Sequence, residues 1–325
     1  MPEARRGVPG LIEPRLLVIA GPTAAGKSEL ALAACRALGG ELIAADSATV
    51  YRGLDVGTGK PSARERAEVP HHCLDLRDPR EPFSVAQYGE AAGAAVAACA
   101  ARGRVPVVAG GSGLYLRQLL DRPMLPPVPP DPALRAQLAA RPAGELHAEL
   151  AAADPAAAAR LHPADRRRVI RALEVQRATG RPVSAFWAQP RPARHPCLLV
   201  LVDRPPELLR QRMAARVERM LACGLIEEVR GLLAAGVPAA SQAMQALGYR
   251  QTAAWLEAGD LPLARLRDAI LTATAAFAKR QRTWFRAEPH GVRIELGAAP
   301  AADALPEVLA LWARTGPVQP PAPGA

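Results

Sequence analysis

GPTAAGKS, residues 21–28, decides the fold: Gly21, Gly26, Lys27 and Ser28 fill the phosphate-loop pattern G-x-x-x-x-G-K-[ST] without a mismatch. The flanks agree with it. Arg15 to Ala20 is a leucine and β-branched run that reads as a strand, and Ser28 to Ala33 opens a helix-forming run. In such a strand-loop-helix unit the eight residues Gly21, Pro22, Thr23, Ala24, Ala25, Gly26, Lys27 and Ser28 cradle a polyphosphate. Glycines let successive N–H groups turn inward, Lys27 places a cation on the outer phosphates, and the Ser28 hydroxyl suits Mg²⁺. The pattern fixes a diphosphate or triphosphate site without fixing the reaction.

Outward from this unit, short apolar runs alternate with alanine-rich helical stretches, the pattern of βαβ units. Strands are expected at Leu16 to Ala20, Glu41 to Ala45, His72 to Leu76, Val105 to Ala109 and Cys197 to Val202. The fold class that follows is α/β, a phosphate-loop NTPase-like parallel sheet flanked by helices. The alternation breaks between Pro123 and Pro196, where a proline-rich linker, Met124 to Pro130, precedes helix-favouring sequence. That segment holds eleven arginines against six acidic residues, a formal charge of +5. Residues 123–196 are therefore expected to form an inserted helical domain, with 1–122 and 197–314 making a discontinuous core. After Cys197 to Val202 a helical region is expected from Pro206 to about Ala235. Residues 315–325, rich in Pro and Gly, are expected to be disordered.

Two further strand ends carry chemistry. The second strand runs into Asp46-Ser47-Ala48-Thr49, and in a parallel sheet the carboxyl ends of strands line the ligand crevice. A carboxylate there can help hold Mg²⁺, act as a general base, or cap the following turn. The fourth strand ends in Gly110-Gly111-Ser112-Gly113, where glycine admits close backbone approach and Ser112 offers a hydroxyl to a phosphate oxygen.

Composition narrows the field. The 325 residues carry 41 Lys+Arg against 31 Asp+Glu, a net +10, which favours an anionic partner such as nucleic acid, or reflects an arginine-rich proteome. The five cysteines show no C-x-x-C pair, so neither a zinc finger nor a disulfide framework is indicated. The His71-His72 pair has no partner at zinc spacing and reads as strand edge or pocket lining. With no signal peptide or bilayer-length apolar run in view, a cytoplasmic protein without membrane association is expected.

GPTAAGKS, ADSATVYRGLDVGTGKP (45–61), HHCLD (71–75), AGGSGLY (109–115), RRVIRALEV (167–175), ALGYRQ (246–251) and AKRQRTWFR (278–286) occur in this order. The chain thereby resembles the bacterial tRNA dimethylallyltransferases (tRNA isopentenyltransferases, the IPP transferase family) over about residues 15 to 290. The resemblance implies transfer of a dimethylallyl group from dimethylallyl diphosphate to the exocyclic amine of the adenosine 3′-adjacent to the anticodon, with Mg²⁺ and release of pyrophosphate. It further implies Asp46 as general base, Ser112 where the family usually has Thr, and Arg216 as a pyrophosphate-contacting cation. On the residues alone Arg216 reads sooner as a solvated helix-face charge.

The resemblance carries contact with the tRNA anticodon stem-loop to Asp46, Ser47, Ala48, Thr49, Ser112, Arg135, Arg167, Arg168, Val169, Ile170, Arg171, Gln245, Arg250 and Arg282. On the residues alone Arg167, Arg168 and Arg171 share one side of a helix and either neutralise RNA phosphates or pair internally with Asp165 and Glu174. Trp284 and Phe285 read as core anchors of the last long helix. The sequence departs from the family pattern at Gly59, where Ala is usual, at Thr49, often Gln, and at Ala275, where an arginine is common. A monomer is expected. The competing activities are an ATP-dependent kinase, a non-catalytic nucleotide-sensing RNA binder, and prenylation of free AMP, for which an arginine-rich insertion has no substrate to grip.

Overall fold

The structure is a computed structural model and describes residues 14–120, 128–189 and 194–314. The tail 315–325, expected to be disordered, and most of the 124–130 linker lie outside the described residues. The chain divides into two compact units, residues 1–120 with 195–325, and residues 121–194.

Among the described residues of the first unit, six strands form one parallel sheet in the order β3-β2-β4-β1-β5-β6. They are β1 (Leu16–Ala20), β2 (Glu41–Ala45), β3 (His71–His72), β4 (Pro106–Gly110), β5 (Cys197–Asp203) and β6 (Val292–Glu295). β1, β2 and β4 are buried at every residue, which is why they read as unbroken apolar runs. Along β1, Leu16 and Val18 enter the core on one face of the sheet and Leu17 and Ile19 the core on the other.

Between the strands run α1 (Lys27–Leu38), α2 (Ala63–Glu68), α3 (Val85–Ala101) and α4 (Gly113–Leu120). In the second unit lie α5 (Pro132–Ala139), α6 (Ala143–Ala153), α7 (Pro155–Arg160), α8 (Arg166–Thr179) and α9 (Val183–Trp187). The first unit resumes with α10 (Pro206–Ala222), α11 (Leu225–Ala234), α12 (Tyr249–Ala258), α13 (Leu263–Arg286) and α14 (Leu305–Arg314). α1 starts behind Gly26 and stops at Gly39, both left-handed (φ 105° and 61°), with the Gly39 N–H returned to the Cys35 carbonyl. No helix among the described residues is long and apolar enough to cross a membrane.

The sequence expectation differs from the fold in three places. The strand expected at His72 to Leu76 is the pair His71–His72, because Cys73 and Asp75 take positive φ (64° and 56°) and turn the chain out of the sheet. β6 was not anticipated, being four residues long with one buried side chain, Ile294. The helical stretch from Pro206 is two helices, broken where Gly224 adopts φ 94°.

The helical unit has its own core, built around Leu138, Leu146, Leu150, Val169, Leu173 and Val183. Buried Asp154 accepts from the Ala157 N–H at 3.0 Å and the Ser184 N–H at 2.8 Å, so one carboxylate starts α7 and anchors α9.

Candidate active site

The phosphate loop follows β1 and is built by exclusion as much as by contact. A side chain at Gly21 (φ 152°) would put its Cβ 2.1 Å from the Val202 carbonyl oxygen, and one at Gly26 would sit 2.5 Å from the Ala301 methyl. The loop carbonyls are held from outside: Arg204 Nε donates to Ala25 O at 2.9 Å and Arg212 Nε to Ala24 O at 2.8 Å. Arg204 is almost fully buried and also donates to the Gly297 and Ala299 carbonyls. Lys27 Nζ donates to Pro22 O at 2.6 Å, the folded-back position from which the ammonium can serve a phosphate.

The register places the three candidate loops side by side, with Ala20 opposite Gly110 and Ala45 opposite the same Gly110. Gly110 itself can be nothing larger, since a Cβ would lie 2.1 Å from Ala45 O. Ser112 Oγ accepts the Ser47 N–H at 3.1 Å, and the Ser112 N–H goes to Ala45 O at 3.2 Å. Asp46 Oδ1 accepts the Ala48 N–H at 2.8 Å. This fixes the carboxylate and leaves Oδ2 as its second acceptor.

Lys27, Asp46 and Arg216, from three separate elements, lie within electrostatic reach of one another. Burial lowers Lys27 to about 8, with the Asp46 charge opposing the drop and Arg216 adding to it. Burial likewise lowers Arg216, again against the pull of Asp46. Two cations and one carboxylate brought together in a half-buried site are a receptor for further negative charge. Arg216 Nη2 donates to Thr58 O at 2.8 Å, so the helix-surface reading of this arginine does not hold.

The loop that carries Thr58 is itself held. Glu228 on α11 accepts the N–H groups of Asp55 at 3.1 Å and Val56 at 2.8 Å, and the Tyr249 hydroxyl donates to the same carboxylate. Lys60, with a side chain 2% exposed, donates to Tyr51 O and Asp55 Oδ1 at 2.7 Å each and to Asp75 at 2.5 Å. The carboxyl of Asp75 stays below its usual range although burial pushes it up, because Lys60 and Arg66 both bond to it.

Of the RNA candidates, Ser47, Arg167, Arg168, Gln245 and Arg250 are exposed, with Arg168 also pairing with Asp165 at 3.4 Å and the Gln245 amide donating to Ala239 O at 2.9 Å. Others have internal partners. Buried Glu174 receives Arg135 at 2.9 and 2.8 Å, Arg171, and the Asp131 N–H at 2.8 Å. Arg135 thus joins α5 to α8, while Arg171 braces the same carboxylate from within α8 and donates to Val128 O at 2.9 Å; Val169 and Ile170 are core side chains. Thr49 is buried with its hydroxyl on Asp46 O, and Arg282 pairs with Asp203 at 2.8 Å. Trp284 is half-buried beneath the Arg117 guanidinium, 4.3 Å from the ring centre, and Phe285 is buried. Ala275 packs at the edge of the core.

The family profile described as IPP transferase matches residues 49–288. The chain belongs to the IPP transferase family. Among its relatives are tRNA dimethylallyltransferase 1 of Trichlorobacter lovleyi, 50% identical over 86% of this chain and 92% of that protein, and the tRNA dimethylallyltransferase of Geobacter metallireducens, 46% identical over 86% and 92%. Two solved structures are similar. The tRNA isopentenylpyrophosphate transferase of Bacillus halodurans aligns with a TM-score of 0.70 at 33% identity over 93% of this chain and 96% of that one. A eukaryotic dimethylallyltransferase acting on tRNA aligns with a TM-score of 0.79 at 26% identity over 92% and 78%. In this IPP transferase the phosphate loop lies ahead of the matched span, yet its cradle is completed from within it by Gln281, Arg204 and Arg212.

Proposed function

We propose that this chain transfers the dimethylallyl group of dimethylallyl diphosphate to the exocyclic amine of the adenosine 3′-adjacent to the anticodon of a tRNA, releasing pyrophosphate. The observation that supports the reading is the mutual electrostatic reach of Lys27 at the start of α1, Asp46 just after β2 and Arg216 on α10. An adenine amine is a weak nucleophile because its lone pair is delocalised into the ring. In the transfer that lone pair forms the new N–C bond, the allylic C–O bond breaks towards the diphosphate, and Asp46 takes the amine proton. Negative charge grows on the departing oxygens, where Lys27, the loop N–H groups and Arg216 receive it.

The donors available for a cation are hard oxygens, the Ser28 hydroxyl together with the substrate diphosphate, a set that fits Mg²⁺. When bound there, Mg²⁺ supplies further charge neutralisation for the leaving group. Ser112 holds the Ser47 peptide and so supports Asp46 from the neighbouring loop. Exposed Arg167 and Arg168 are the helical unit's cations for the anticodon stem-loop. We read the working unit as a cytoplasmic monomer.

The test is incubation of the purified chain with radiolabelled dimethylallyl diphosphate, Mg²⁺ and unmodified tRNA, with AMP and ATP as parallel acceptors. Label entering tRNA alone is expected. Label in AMP, or consumption of ATP with no label in RNA, overturns the reading.

A further inference from the structure

Asp46 follows the last residue of β2, whereas Glu41 is its first. At about 3.3 Å per residue the two positions stand roughly 15 Å apart, at opposite ends of β2. Around Glu41 the fold assembles a second cluster that the phosphate chemistry does not use. Glu41 is 4% exposed. Its Oε2 faces His72 Nε2 of β3 at 2.6 Å, Cys99 Sγ of α3 at 3.5 Å and Arg102 Nη2 at 2.6 Å, while Arg102 Nε donates to Oε1 at 3.0 Å. Cys99 Sγ and His72 Nε2 are 3.8 Å apart.

Two proton carriers of different chemistry, an imidazole and a thiol, converge on one carboxylate oxygen, and a single cation can take the place of both hydrogens. In a tetrahedral shell with one sulfur at about 2.3 Å and nitrogen and oxygen at about 2.0 Å, donor atoms stand roughly 3.3–3.6 Å apart. The sulfur–oxygen and sulfur–nitrogen distances are already near that spacing. The imidazole–carboxylate pair, now sharing a hydrogen, has to open by under roughly 1 Å to reach it. Thiolate and imidazole select a soft or borderline metal over Mg²⁺ or Ca²⁺. Arg102 remains on the carboxylate in the manner of the outer partners that orient metal ligands. The His72 side chain is 25% exposed, which gives a path inward and leaves a fourth position for water.

We propose that Glu41, His72 and Cys99 are the three protein ligands of a zinc-class divalent cation, which ties β2, β3 and α3 together at the edge of the sheet away from the phosphate loop.

The experiment uses the full chain carrying Cys197→Ser and Cys223→Ser, which removes the two exposed thiols. It is stripped with a chelator, then titrated with Zn²⁺ against a chromophoric competitor, and with Co²⁺ by absorption. One equivalent is expected, with a sulfur-to-cobalt charge-transfer band and intense visible bands of tetrahedral cobalt. His72→Gln and Cys99→Ala each weaken Zn²⁺ binding more than about tenfold, and Cys99→Ala removes the charge-transfer band while leaving prenyl transfer unchanged. Should Cys99→Ala not fold, Cys99→Ser tests the same sulfur, and the parent's cobalt spectrum needs no variant. A parent that takes up no Zn²⁺, or uptake equal in parent and both variants, overturns the proposal.

Discussion

The side-chain amide of Gln281 accepts the backbone N–H of Thr23 at 2.8 Å, and its other end donates to Gly111 O at 2.9 Å. One buried amide on α13 thus spans the phosphate loop and the glycine turn after β4. Gln281→Glu keeps the acceptor and loses the donor, leaving a buried carbonyl unsatisfied and a charge beside an anion site. We expect a stability loss of about 1–3 kcal/mol and a raised KM for dimethylallyl diphosphate, read by thermal unfolding and steady-state kinetics. A variant with wild-type KM and Tm would show that the loops hold their shape unaided.

Asp46→Asn preserves the bond to the Ala48 N–H and removes the proton acceptor. Loss of a general base costs about 10²- to 10⁴-fold in turnover, and tRNA binding, measured by filter retention, should stay within a few-fold. Turnover near wild type would take the base role from Asp46.

The arginines of the helical unit should separate into two classes. Arg167→Ala with Arg168→Ala removes two exposed cations, and each lost phosphate contact lowers the salt slope of tRNA binding by about 0.7–0.9, with Tm unchanged. Arg135→Ala with Arg171→Ala instead strands Glu174, whose side chain is 1% exposed, at a cost of about 3 kcal/mol for an unpaired buried charge. A salt titration beside thermal melts of both double variants distinguishes the classes, and identical behaviour would refute the division.

What the sequence revealed was what lies close together along it. The phosphate loop, the turn at Asp46 and the three continuous strands around them are local patterns, readable because a fully buried strand must be apolar throughout. Gln281 and Thr23 are separated by 258 positions and Arg204 and Ala25 by 179, and nothing in either local context marks a pair. Arg171 shows the opposite limit. Its spacing to Glu174 was visible, but whether that carboxylate faces solvent or the core depends on the packing of α5 against α8, which no single helix carries. The Glu41 cluster was hidden for the same reason, since its members come from two strands and a helix.

Gly59 stands at φ 66°, and a Cβ there would lie 2.9 Å from Arg216 Nη2. Alanine, usual at this place in the family, meets both a left-handed backbone and the guanidinium. Gly59→Ala is expected to cost about 1 kcal/mol for the backbone and to shift Arg216 off Thr58 O, raising the KM for dimethylallyl diphosphate several-fold. Kinetics equal to wild type would mean that the flexible arginine yields to the methyl group without losing its aim.

Lys27 gives the pH dependence its sign. Burial holds its ammonium down to about 8 from an ordinary 10.5, so the free enzyme carries the cation below pH 8 and loses it as pH rises through that value. Because kcat/KM reports ionisations of the free enzyme, it should fall on the alkaline side above about pH 8. Stability runs the other way for this group. Between 8 and 10.5 the unfolded chain binds the proton that the folded chain has released, so the Lys27 contribution to stability rises with pH across that window. Lys27→Arg keeps a cation whose ionisation lies far higher, and in that variant the alkaline limb of kcat/KM should move upward in pH even though the poorer fit lowers the plateau. A limb that remains near 8 in Lys27→Arg belongs to another group, and the loop lysine would then be charged throughout the working range.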